Sequence, residues 1–231
     1  MIVAWRGSDA GRGGRAARVA LVPIRGVDVS EDGVMFQRRF EGFSQQQQSV
    51  IAAACDGMQQ RAARSLDQGA PIAAWFGAAD RNQVFLKLRM MQNVIQDGSR
   101  TVTFVNRTGK KIGVTHTDVY TKHLNPVGQE TPLQGSGIVA YAFPVDRRYG
   151  DPGPHSTVSH VGSGMRIYLN DVFFTLDPVL QAATIYHEMT HKVLATNDHC
   201  YDPVACRMLA ARNSAQALDN ADNFAHYIAN C

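Results

Sequence analysis

The stretch DPVLQAATIYHEMTHKVLATNDHCY, residues 177–201, decides how the rest of the chain is read. Asp177 followed by Pro178 is a helix start. The Asp side chain offers an acceptor to the first unpaired N–H groups, and Pro has the backbone angle of a first helical position. Apolar residues then recur at Leu180, Ala183, Ile185, Tyr186, Met189 and Val193, which predicts a buried helix. Within it His187 and His191 are one turn apart and project from one face. Two imidazoles so placed can grip one Zn²⁺ at about 2.0–2.1 Å each. Glu188 lies about 100° round the helix from His187. It can reach a water on the metal without binding the metal, which suits a general base. The HExxH pattern is short, but its ionisable residues fall on a buried helix, where charges need partners.

A catalytic zinc takes three protein ligands and keeps one position for water. The upstream histidines, His116, His123, His155 and His160, sit in no recognisable ligand context, and no Glu follows Glu188. Candidates for the third ligand are therefore Asp198, Asp202, Asp219, Asp222, His199 and His226.

HEMTH followed by TNDHCY resembles the aspzincin metallopeptidases, the deuterolysin and peptidyl-Lys metalloendopeptidase family, whose pattern is HExxH followed by GTxDxxYG. Thr196, Asp198 and Tyr201 match its T, D and Y. The similarity continues in NSAQALDNADNFAHYIAN and, more weakly, in GMRIYLNDVFF, IVAYAF, WFGAAD and the first helix. It covers roughly residues 44–231, with 1–42 and much of 107–160 as additions. The resemblance implies that His187, His191 and Asp198 bind Zn²⁺ and that Glu188 is the base. It also implies that Tyr201 aims its hydroxyl at the developing oxyanion, where a donor stabilises a tetrahedral intermediate. Two family glycines are replaced, by Ala195 and Asp202. Their loss bears on the turn, which a disulfide between Cys200 and Cys206 would stiffen; the other reading is two buried thiols.

Near the C-terminus, Leu218, Asp222, Ala225 and Ala229 fall on one helical face, so Asp222 shares an apolar stripe and needs a counter-charge. It serves either a structural hydrogen bond or a pocket floor. The resemblance favours the pocket: the matching segment of the peptidyl-Lys enzymes binds the lysine ammonium after the scissile bond. A buried carboxylate rejects uncharged side chains, which would leave it unpaired. Asp219 is read on a more polar face with Asn223 and His226. The strand MRIYLN, just before the active-site helix, is the candidate for pairing with an extended peptide substrate.

Working outward, Ser44 precedes an amphipathic helix with Ile51, Cys55, Met58, Ala62 and Leu66 on one face. APIAAWFGAAD breaks the pattern, and a second helix follows Asp80 with Val84, Leu88, Met91 and Ile95. TVTFV, IVAYAF and MRIYL read as short strands separated by turn-rich sequence. Helices, then strands, then helices predict an α+β fold. With the resemblance this becomes a zincin-like domain with N-terminal helices, a small mainly antiparallel sheet and a C-terminal helical part carrying HExxH. The expected division is an N-terminal extension, 1–42, partly flexible, and one catalytic domain, 43–231.

The 231 residues are 45% hydrophobic and 19% charged, with a net charge of +3, too mild to argue for a nucleic-acid partner. Arg6, Arg12, Arg15, Arg18 and Arg25 read as a solvated arm. No apolar run approaches a membrane span of about 20 residues. The first residues lack the apolar core of a secretory signal. The cysteines Cys55, Cys200, Cys206 and Cys231 permit two disulfides without establishing them. The expectation is a zinc endopeptidase, secreted or extracytoplasmic, acting on lysine-containing proteins or peptides on the amino side of Lys. Rival readings are a secretion-system effector or toxin protease, with an inhibitor or immunity protein as partner, and a non-catalytic zincin-like binding module. Glu188 argues against the last, because a binding module needs no base.

Overall fold

A computed structural model describes residues 35–67, 71–106, 139–142 and 165–231, and the backbone alone at 111–112 and 131–132. The four upstream histidines and the N-terminal arginines lie outside the described residues. The chain begins with β1 (Gln37–Glu41), α1 (Gln45–Arg64), α2 (Ile72–Phe76) and α3 (Arg81–Ile95). The strands β2 (Thr101–Asn106), β3 (Lys111–Ile112), β4 (Thr131–Pro132), β5 (Ala140–Tyr141) and β6 (Met165–Leu169) follow. A 3₁₀ turn, Asp171–Thr175, leads into α4 (Pro178–Val193), α5 (Pro203–Arg212), α6 (Ser214–Ala217) and α7 (Ala221–Ala229).

The helix starts follow local chemistry. Ser44 accepts from the Gln47 amide while the Gln47 side chain accepts from the Ser44 amide, a reciprocal cap. Asp80 caps α3 through the Asn82 amide at 2.9 Å. Asp177 caps α4 through Val179 and Leu180 at 2.9 and 3.0 Å. Ile51, Cys55, Met58 and Ala62 of α1 and Val84, Leu88, Met91 and Ile95 of α3 are buried, as their spacing requires. The short α2 was not expected. It stops at Gly77, whose φ of 57° favours glycine and whose missing side chain lets the Ala210 carbonyl of α5 approach.

The sheet order is β1-β2-β6-β5, with β1–β2 and β2–β6 parallel and β5–β6 antiparallel. The sheet is thus mixed rather than mainly antiparallel. A parallel pair needs a crossover of a dozen or more residues, and the three helices between β1 and β2 supply it. β1 lies inside the stretch expected to be an extension, yet it is an edge strand of this sheet. β6 is paired along its length with β2 on one side, and on the other side β5 pairs with Tyr168 and Leu169. Of the described strands, β5 is the edge beside α4.

α4 packs between α1 and α7. α7 is buried from Ala221 to Ile228, Asn223 and His226 included, so those two do not share a polar face with the half-exposed Asp219. The Tyr227 hydroxyl donates to the Ser65 carbonyl at 2.7 Å and Arg61 donates to the Ala229 carbonyl at 3.0 Å, tying α7 to the end of α1. Among the described residues no helix is long and apolar enough to cross a membrane.

Candidate metal centre and pocket

His187 and His191 project from the same face of α4, with their Nε2 atoms 3.1 Å apart. An Asp198 carboxylate oxygen lies 3.3 Å from His187 Nε2 and 3.4 Å from His191 Nε2. The other ring nitrogens are committed. His187 Nδ1 donates to Asp222 at 2.6 Å and His191 Nδ1 donates to the Thr196 carbonyl at 2.8 Å. In the neutral imidazoles this leaves both Nε2 atoms as acceptors facing the centre.

With both rings neutral, three lone-pair-bearing atoms converge in a buried space, an arrangement that repels itself unless a proton or a metal cation joins it. Neither Asp198 oxygen accepts a hydrogen bond, and neither does Glu188 Oε2. Ligands about 2.0–2.1 Å from a tetrahedral ion stand about 3.3 Å from one another. The observed separations match, and two imidazoles with one carboxylate form a donor set suited to zinc.

Glu188 also brings a carboxylate oxygen within 4.8 Å of the imidazole nitrogens. It is buried, and burial pushes its carboxyl up to about 7 against the pull of the two histidines. Burial would raise Asp198 too, but the adjoining imidazoles win and hold it below the usual carboxylate range. For His187, burial favours the neutral ring, but Asp222 and Asp198 together drive its pKa well above the ordinary value.

Ala195 and Asp202 bracket the turn that presents Asp198, and both have positive φ, 54° and 66°. Glycine is the residue favoured at such φ. Within the turn, the Asn197 amide donates to the Asp219 carbonyl at 2.8 Å, and Ala221 donates to the Asn197 carbonyl at 2.9 Å. Asn220, fully buried, accepts from the His199 and Cys200 amides at 2.7 and 3.3 Å and donates to the Cys200 carbonyl at 3.2 Å. The Thr190 and Thr196 hydroxyls share a 2.8 Å hydrogen bond beneath the turn. Sequence reasoning missed Asn220 and Thr190. The available signal was a run of amides and acids, LDNADN, at a helix start, where side-chain capping is common.

Asp222 sits where it was expected, on the buried face of α7, and its counter-charge is His187. Its second oxygen lies 3.7 Å from His226 Nε2. Asp219 and His199 pair with each other at 2.9 Å outside the centre. Asp202 caps α5 through Val204 and Ala205, both at 2.8 Å. Tyr201 is half-buried in the segment between Asp198 and α5. The Cys200 and Cys206 sulfurs are 3.5 Å apart, as thiols. Cys206 also lies near Asp222 and His226, with ligand-type atoms within 4.8 Å. Beside the centre is a narrow pocket whose walls include Ala140 of β5, Leu180, Thr184, Glu188, Asp222 and His226.

A histidine pair on a buried helix, a following carboxylate from a turn and a buried glutamate form a candidate site for a metal ion. The family model described as lysine-specific metallo-endopeptidase matches residues 154–229. That segment, about a third of the chain, holds His187, Glu188, His191, Asp198 and Asp222. A zinc peptidase from Grifola frondosa is similar in fold, with a TM-score of 0.53 and 21% identity over 81% of this chain and 97% of that one. No curated protein matches the chain significantly.

Proposed function

We propose that the protein is a zinc endopeptidase that cuts on the amino side of lysine. The observation that carries it is the convergence of His187 Nε2, His191 Nε2 and Asp198 at 3.1–3.4 Å around one point. His187, His191 and Asp198 would hold the ion. Zinc bound there supplies a Lewis acid for the scissile carbonyl and for water. Asp222 and the Thr196 carbonyl orient the two imidazoles, fixing which nitrogen faces the metal. Glu188, poised near neutrality by burial, takes the proton from the attacking water and returns it to the leaving amine. Asp198 suits the ligand role better than Glu188, because it lies closer to both imidazoles and stays ionised. Tyr201 follows the ligand turn and directs its phenol at the developing oxyanion.

The lysine preference rests on the family description and on Asp222 in the pocket wall, whose negative charge favours a cation. A substrate backbone runs along the edge strand β5, whose Ala140 lines that pocket. Cys200 and Cys206 are close enough to suit a disulfide, which fits an extracytoplasmic setting. The test is digestion of an unfolded protein by zinc-loaded wild type and Glu188→Gln, with cut sites mapped. Wild type should cut before Lys. The variant should keep its zinc and lose about 10²–10⁴-fold in kcat. Equal cleavage by both would refute the mechanism.

A further inference from the structure

The pocket contains two groups that neither metal binding nor proton transfer uses. His226 is 6% exposed, and its Nε2 has no hydrogen-bond partner. Its ring stacks on Trp75 with centroids 5.4 Å apart, and the Arg207 guanidinium lies over the same indole at 5.2 Å. The imidazole is thus held by its flat face, with its edge 3.7 Å from Asp222. Thr184, one turn before the metal helix's Glu188, gives its hydroxyl proton to the Leu180 carbonyl at 2.8 Å. Its oxygen keeps lone pairs to offer, and the residue lines the same wall.

A lysine ammonium brings three donors, all hydrated before it enters. Asp222 already accepts from His187 at 2.6 Å, so this carboxylate alone serves an incoming ammonium poorly. Unmet donors in a buried site cost much of what the charge pair gains. We propose that Thr184 Oγ1 and His226 Nε2 act with Asp222 as a three-acceptor cradle that selects a lysine ammonium. This rests on the reading of the pocket as the site for the residue after the scissile bond. Burial lowers the His226 imidazole pKa, which favours the neutral ring, and the tautomer with its proton on Nδ1 offers the Nε2 lone pair to the pocket. Three acceptors lining one pocket suit a compact ammonium. The planar fork of arginine spreads five donors and fits such a cradle less well. The apolar walls, Leu180, Ala183 and Ala225, take the lysine methylenes.

The experiment compares zinc-loaded wild type, His226→Phe, His226→Gln and Thr184→Val on quenched peptides with Lys, Arg or Leu after the scissile bond. Phe keeps the stacking surface and removes the acceptor; Gln restores an acceptor; Val is isosteric with Thr. The Lys-over-Leu ratio of kcat/KM should fall at least about tenfold in His226→Phe and in Thr184→Val, as expected for a lost hydrogen bond to a charge. The loss should be in KM, and His226→Gln should recover part of it. If wild type prefers Lys and both His226→Phe and Thr184→Val keep the full ratio, the cradle is overturned while the lysine reading stands. If wild type shows no preference for Lys, the lysine reading fails first and the cradle with it. If His226→Phe does not fold, Thr184→Val decides in the same way.

Discussion

The two halves of the candidate metal centre are built by opposite means. α4 presents His187 and His191 through helix geometry alone: four residues, one turn, one face. Its position is over-determined by burial against α1 and α7, so no single hydrogen bond holds it. The turn 195–202 presents Asp198 with little apolar burial of its own. It is held by one buried amide, Asn220, by the backbone pairing of Asn197 with α7, and by two residues at positive φ. A helix tolerates change because its order is distributed. A turn held by a few polar contacts concentrates its order in them.

The largest test of this contrast is Asp198→Ala. If the turn supplies a ligand, zinc affinity measured against a competing chelator should fall by more than the roughly 10–100-fold that loss of an orienting partner costs. Zinc bound at wild-type affinity would remove the turn from the centre and leave α4 alone. A next step compares the orienting groups. Asp222→Asn keeps an acceptor for His187 but loses the charge. It should lower zinc affinity about 10–100-fold with little change in melting temperature. Asn220→Ala should lower both, because the amides and carbonyl it serves would be left buried without partners, at about 2–3 kcal/mol of stability. If Asn220→Ala left stability unchanged, the turn would not depend on that amide.

The same contrast governs what could be read from the sequence. α1, α3 and α4, their caps at Ser44, Asp80 and Asp177, and the histidine pair were legible because each follows from residues within a turn of one another. The identity of Asp198 required the resemblance, since spacing alone left six candidates. The strand order was not legible. β2 and β6 pair in parallel across more than fifty residues of chain, and nothing local to either strand encodes that neighbour. Five-residue α2 ends at a glycine and is too short for periodicity to detect. Asn220 escaped because its partners, His199 and Cys200, lie about twenty residues away.

The smallest effects fall on the two residues standing where the family has glycine, and they separate backbone demand from side-chain use. Asp202 combines φ 66° with ψ 152°, a region nearly exclusive to glycine, yet its carboxylate caps α5. Asp202→Ala keeps the strained backbone and deletes both cap bonds, so it should destabilise by about 1 kcal/mol. Ala195 has the backbone demand without a polar contact to offset it. Ala195→Gly should therefore stabilise by about 0.5–1 kcal/mol, net of the extra freedom glycine gives the unfolded chain. In a domain of this size that is roughly a 1–4 °C rise in melting temperature. Zinc affinity should hold, because the glycine occupies the same φ and leaves the Thr196 carbonyl on His191. A fall in melting temperature for Ala195→Gly would mean that the turn is set by something other than the left-handed backbone at its entrance.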